Sequence, residues 1–186
     1  EAGRQGVVSD GIVAGAVELH ERDVREIMTP RPRIAALRAD ATLEEAVRLA
    51  GLFLDKGGIV ATKDSSEKVT ILANGAAAPG TKGDKRKVII FPVEDPRAVY
   101  TGPLVVLTSR LSASASEIVA GALKDYRRAV IVGSDHTFGK GSVQALMPLP
   151  WDLGGIKVTT ALYFLPGGKS TQKIGVEADV RLPIWF

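Results

Sequence analysis

Apolar positions along the chain change their spacing from block to block, and each spacing predicts an element. Val8, Ile12, Val13, Ala16, Val17 and Leu19 recur close to a helical period, which predicts a helix over 8–28. Pro30 and Pro32 stop it, since proline lacks the N–H that the ladder needs. Thr42-Leu43-Glu44-Glu45 is a capping box ahead of a second periodic run. That run predicts a helix through Val47, Leu49, Ala50, Leu52, Phe53 and Leu54, ended by Lys56-Gly57-Gly58. Two strand-like runs, 59–63 and 68–72, flank Asp64-Ser65-Ser66-Glu67 and predict a hairpin. Residues 73–86, rich in Ala, Gly, Pro and Lys, read as a mobile loop, and Val88-Ile89-Ile90-Phe91 as a short strand.

The second half is more regular. Pro103-Leu104-Val105-Val106-Leu107 is a continuous apolar run of the kind buried on both faces of a sheet. A helix over 115–126 and a strand over 129–133 follow. Strand, helix and strand in that order form a βαβ unit, which implies a parallel pair with a right-handed crossover. Antiparallel strands are expected over 143–149 and 156–164, joined by a turn at 151–155. A turn at Pro166-Gly167-Gly168 then leads into 175–183. The fold class is therefore α/β, a mixed sheet with a βαβ unit and antiparallel C-terminal strands. The helical stretch 1–40 stands apart from a core domain over 41–186.

Composition narrows the function classes. A chain of 186 residues with 45% apolar and 24% charged residues is globular rather than disordered. Its formal net charge of +3 is too small and too dispersed to imply a nucleic-acid partner. The basic run Lys82-Gly83-Asp84-Lys85-Arg86-Lys87 reads as a solvated loop. With no cysteine and 2 histidines, neither a disulfide framework nor a metal-ligand set is expected. No apolar run reaches the roughly 18 residues of a membrane span. Residues 1–18 lack the basic start and apolar core of a signal peptide.

Candidate chemistry concentrates at Ser112-Ala113-Ser114-Ala115-Ser116-Glu117 and Phe138-Gly139-Lys140-Gly141. The first is the start of a helix loaded with hydroxyls, and the second a glycine-flanked loop holding one lysine. A serine hydroxyl is a weak nucleophile until a base takes its proton. An amine serves as that base only when neutral, a form that burial against apolar groups such as Phe138 and Val143 favours. The N–H of Ala115, at the helix N-terminus, is a natural donor to an oxyanion. Read singly, the serines are N-caps or packing residues, Lys140 a surface lysine in a turn and Gln144 an ordinary strand residue. His136 leaves a Ser114–His136–Asp125 triad open, because triads are recognised in space rather than in sequence. His20 reads as structural.

Residues 43–183 resemble the tail-specific, or C-terminal processing, serine peptidases. The likeness is carried by Leu43-Glu44-Glu45-Ala46-Val47, Gly102-Pro103-Leu104-Val105-Val106-Leu107, the run from Ser112 to Asp125, Thr137-Phe138-Gly139-Lys140-Gly141-Ser142-Val143-Gln144, Ser170-Thr171-Gln172 and Gly175-Val176-Glu177-Ala178-Asp179. The resemblance implies Ser114 as nucleophile, Lys140 as general base, Gln144 orienting the lysine and Asp125 in a supporting role. It also implies polypeptide substrates with apolar C-terminal tails, an extracytoplasmic or periplasmic setting and no cofactor. Where that family carries an Asp-Leu-Arg-x-Asn-x-Gly-Gly signature, this chain reads Ile34-Ala35-Ala36-Leu37-Arg38-Ala39-Asp40-Ala41-Thr42, and the 40 residues before the core are not expected to supply the PDZ-like domain that the resemblance implies upstream. A peptidase-fold domain that binds peptide without cutting it is the alternative. Residues 6–47 separately resemble the segment leading into the CBS pair of hemolysin-C-type proteins, through Val24-Arg25-Glu26-Ile27-Met28-Thr29-Pro30 and Ala39-Asp40-Ala41-Thr42-Leu43-Glu44-Glu45-Ala46.

Overall fold

Two sheets and two helices, seen in a computed structural model, carry the site. The structure describes residues 42–55, 57–74, 87–91, 97–150 and 153–183. The expected helix over 8–28, His20, most of the altered stretch 34–42, residues 6–41 of the CBS-like segment and residues 75–86 of the expected loop lie outside them, while Ala73 and Asn74 of that loop are in a strand.

Helix α1 (Leu43–Gly51) begins at the capping box. The Glu45 N–H donates to the Thr42 hydroxyl (3.2 Å) and the Thr42 N–H to the Glu45 carboxylate (2.6 Å). It ends three residues short of the expected Leu54. The Leu52 N–H turns back to the Leu49 carbonyl, and the Leu52 carbonyl accepts from Val99 and Tyr100. Lost ladder bonds are thus replaced by a crossing chain, which no local pattern announces. The hairpin forms as predicted: β1 (Gly57–Asp64) pairs antiparallel with β2 (Val69–Asn74), and the Asp64 carboxylate accepts the Ser66 and Lys68 N–H groups in the turn. β3 (Lys87–Phe91) pairs parallel to β2.

The βαβ unit is also present. β4 (Val105–Thr108) and β5 (Val130–Gly133) are parallel, joined through α2 (Ala115–Asp125). Gly121 lies inside α2, where glycine costs about 1 kcal/mol relative to alanine. A Cβ there would stand 2.4 Å from Leu165 Cδ1, so the close approach requires it. β6 (Ser142–Pro148) and β7 (Gly155–Phe164) form the antiparallel pair, and β8 (Val180–Arg181) closes the chain order.

The strands divide between two sheets rather than forming one: β3-β2-β1-β7-β6, and the parallel β4-β5-β8. Ala46, Val47 and Ala50 of α1 pack with Ile118, Ala122 and Leu123 of α2, Ile59 and Val60 of β1, and Tyr163 of β7. The run 103–107 is not buried on both faces. Val106 packs on the core, while Val105 is 48% and Leu107 75% exposed. Among the described residues α2 covers one face of this sheet and the other stays open.

Candidate active site

Sequence places Ser114 immediately before α2, and the backbone there is unusual. Its φ of 58° and ψ of −115° match the first central position of a type II′ turn, which favours glycine. A serine held there stores about 1–3 kcal/mol of strain, and such positions cluster at functional sites. Glu117 reaches back to the Ser114 N–H (2.8 Å). The reverse arm of a capping box is incomplete, because the Glu117 N–H bonds to the Ser114 carbonyl (2.9 Å) and the hydroxyl takes no cap bond. The Ala115 N–H, in the first helical position, has no partner among the described residues.

Glu117 is the residue that local sequence reasoning left without a role. Its carboxylate is fully buried and accepts four hydrogen bonds: from the Ser114 N–H, the Thr137 hydroxyl (2.6 Å), the Gly139 N–H (2.6 Å) and the Lys140 N–H (2.9 Å). One anion thus joins the serine elbow to the lysine loop, and four donors offset the cost of burying its charge. The one available signal was a glutamate three residues into a helix, at the end of the small-residue run Ser112-Ala113-Ser114-Ala115-Ser116.

Further bonds reinforce the junction. The Phe138 N–H donates to the Ser112 carbonyl (2.9 Å). Arg110 grips Asp135 with two bonds of 2.9 and 2.8 Å, and its guanidinium holds the Asp135 carboxyl below the usual range. The glycines flanking Lys140 are sterically required. Gly139 has φ 89°, and a Cβ on Gly141 would stand 2.5 Å from the Gln172 nitrogen.

Other sequence-predicted residues fall out differently. The backbones of Ser114 and Lys140 are tied to one carboxylate, yet the Ser114 hydroxyl and the Lys140 amine do not bond to each other. Gln144 is exposed on β6, beside a register shift between Val143 and Gln144, and does not bond to Lys140. Phe138, expected to shield the lysine, is 62% exposed. Asp125 accepts the Gly167 N–H (2.8 Å) and so pins the turn after β7. The His136 Nδ1 pairs with the Thr137 carbonyl (2.6 Å) and its Nε2 lies 3.7 Å from Asp135. With His136 and Asp125 so engaged, no Ser114–His136–Asp125 triad forms among the described residues.

A serine elbow at a helix N-terminus is thus bonded through one buried carboxylate to a glycine-flanked lysine loop within an α/β domain. Residues 42–182 match Peptidase family S41, and the chain belongs to that family. It is 39% identical over 144 residues to a carboxy-terminal-processing protease of Bartonella bacilliformis, covering 77% of this chain and 29% of that protein. It is 35% identical over 148 residues to a tail-specific protease of Haemophilus influenzae, covering 76% of this chain and 18% of that one. Among solved structures, the photosystem II D1 C-terminal processing protease matches at 37% identity and a TM-score of 0.55, over 76% of this chain and 31% of that one. The chain thus spans less than a third of the length of these relatives.

Proposed function

We propose that this chain carries the catalytic core of a C-terminal processing serine endopeptidase working through a Ser114–Lys140 dyad. The observation that supports this best is the shared Glu117 carboxylate, which holds the strained Ser114 elbow and the Lys140 peptide on one buried group. In the proposed reaction the Ser114 Oγ adds to the scissile carbonyl carbon and its proton passes to the Lys140 Nζ. The unpartnered Ala115 N–H steadies the oxyanion. Collapse of the tetrahedral adduct breaks the C–N bond, and the Lys140 proton leaves with the amine. Water, giving its proton to Lys140, then releases the acyl group as a carboxylic acid and restores Ser114. Gln144 would orient Lys140 after a rotamer change, and Asp125 supports the site by fixing the 166–168 turn.

Residues 1–40 form a separate N-terminal segment in this reading, and 41–186 the peptidase core. The substrates are polypeptides with apolar C-terminal tails, met outside the cytoplasm. The test is cleavage of an unstructured protein by this chain and by its Ser114→Ala and Lys140→Ala variants. Loss in both variants supports the dyad. Cleavage by Lys140→Ala at the parent's rate sinks Lys140 as base, and peptide binding without cleavage by the folded parent supports a binding domain instead.

A further inference from the structure

The Lys140 loop is gripped from a second side, by residues that the proposed chemistry does not use. Tyr163 on β7 is 1% exposed and Thr171, in the turn beyond β7, 0%. The Tyr163 hydroxyl donates to the Lys140 carbonyl and stands 3.4 Å from the Ser114 carbonyl. The Thr171 hydroxyl lies 2.9 Å from the Tyr163 oxygen and 3.2 Å from the Lys140 carbonyl. Each hydroxyl has one proton to give. The arrangement that satisfies most groups is serial: Thr171 donates to Tyr163, and Tyr163 donates to Lys140. On either side, the Lys173 N–H bonds to the Gly139 carbonyl (2.8 Å) and the Gly141 N–H to the Gln172 Oε1 (2.8 Å). With the Tyr163 N–H on the Gly141 carbonyl (2.9 Å), three consecutive peptides from Gly139 to Ser142 are thus anchored to 171–173 and β7, in addition to the bonds that Glu117 makes.

We propose that Tyr163 and Thr171 are positioning residues: a buried two-hydroxyl relay that fixes the Lys140 peptide plane beside Ser114 and so aims the lysine side chain at the serine hydroxyl. The proposal rests on the dyad reading above. Rotation of the peptide that follows Lys140 would swing the Cα–Cβ direction of the lysine. A misplacement of about 1 Å in a catalytic group can cost on the order of 100-fold in rate. Burial pushes the Tyr163 phenol well above its ordinary range, which keeps it a hydrogen-bond donor wherever the peptidase would work.

Three variants of this chain test the relay. Tyr163→Phe and Thr171→Val remove one hydroxyl each with little change of shape, whereas Thr171→Ser keeps the hydroxyl. In hydrogen exchange read by mass spectrometry, peptides covering 137–141 should exchange roughly tenfold faster in the first two, the loss expected for one buried hydrogen bond. Peptides from α1, β1 and β2 should keep their protection, and Thr171→Ser should match the parent. In cleavage, kcat should fall about tenfold or more in Tyr163→Phe and Thr171→Val while KM stays within about twofold. Unchanged exchange at 137–141, faster exchange spread over the whole core, or a Thr171→Ser variant as impaired as Thr171→Val would overturn the relay. Unchanged kcat would overturn its positioning role. Failure of the dyad reading shows separately, as a Lys140→Ala variant that cleaves like the parent.

Discussion

At the scale of single residues, the site is built around a carboxylate and a strained serine, and both make measurable predictions. Glu117→Gln keeps one accepting oxygen but turns an NH₂ toward two of its four donors. Two charged hydrogen bonds are lost in a buried place, which should cost about 2–4 kcal/mol. A urea midpoint that falls with an unchanged m-value would show it; a midpoint within error of the parent would contradict the buried junction. Ser114 should behave oppositely when strain is relieved. Because φ 58° with ψ −115° suits glycine, Ser114→Gly should be more stable than Ser114→Ala by about 1 kcal/mol, although neither should cleave. Equal stabilities would mean that the elbow is unstrained. Tyr163 supplies a pH signature. Its native phenol is raised by burial, so stability is fully present below the unfolded value of about 10 and falls as pH rises past it, when only the unfolded state sheds a proton. Tyr126, raised chiefly by burial too, adds in the same direction. The alkaline fall of the thermal midpoint should therefore shrink, without vanishing, in Tyr163→Phe.

At the scale of elements, what was legible in the sequence is what local physics decides. The Thr42–Glu45 capping box, the turn at Asp64 and the apolar blocks of the βαβ unit each involve residues within a few positions of one another. Each appears where the pattern put it. The end of α1 was not legible, because Val99 and Tyr100 arrive from far along the chain to take the Leu52 carbonyl. Likewise Ser114 and Lys140 could be named as candidates from their neighbours, but Glu117, Tyr163 and Thr171 could not. Their roles exist only where α2, β7 and two loops converge, and a glutamate in a first helical turn reads locally as a cap. α2 is the element on which this convergence hangs, since it carries Glu117 on one turn and Ile118, Ala122 and Leu123 into the core. Leu123→Ala should cost about 2–5 kcal/mol through lost burial and the cavity left behind. Loss of cleavage should then track unfolding, in contrast to the kcat-specific loss expected of Tyr163→Phe.

At the scale of the whole molecule, the smaller sheet presents a contradiction between composition and exposure. β4 and β5 are apolar on both faces, but among the described residues only the side bearing Val106 and Ile131 is covered. The register aligns Leu107 with Val132 and Val132 with Val180, so these three form a row across the other face. Leu107 is 75% and Val180 50% exposed, and Val105 at 48% lies one strand position pair away. Rows of this kind rarely stay bare in a monomer, because burying apolar surface gains roughly 25 cal/mol per Å². One charge placed in the row tests whether it associates. Leu107→Lys exposes its new ammonium to water and removes no core contact, so its effect on stability should stay within about 0.5 kcal/mol. Sedimentation velocity across a concentration series should show the parent chain associating and the variant remaining smaller at the same concentration. A parent that stays monomeric throughout would mean that the row is too dispersed to act as an interface. A variant that loses several kcal/mol would mean instead that the face is covered within the chain itself.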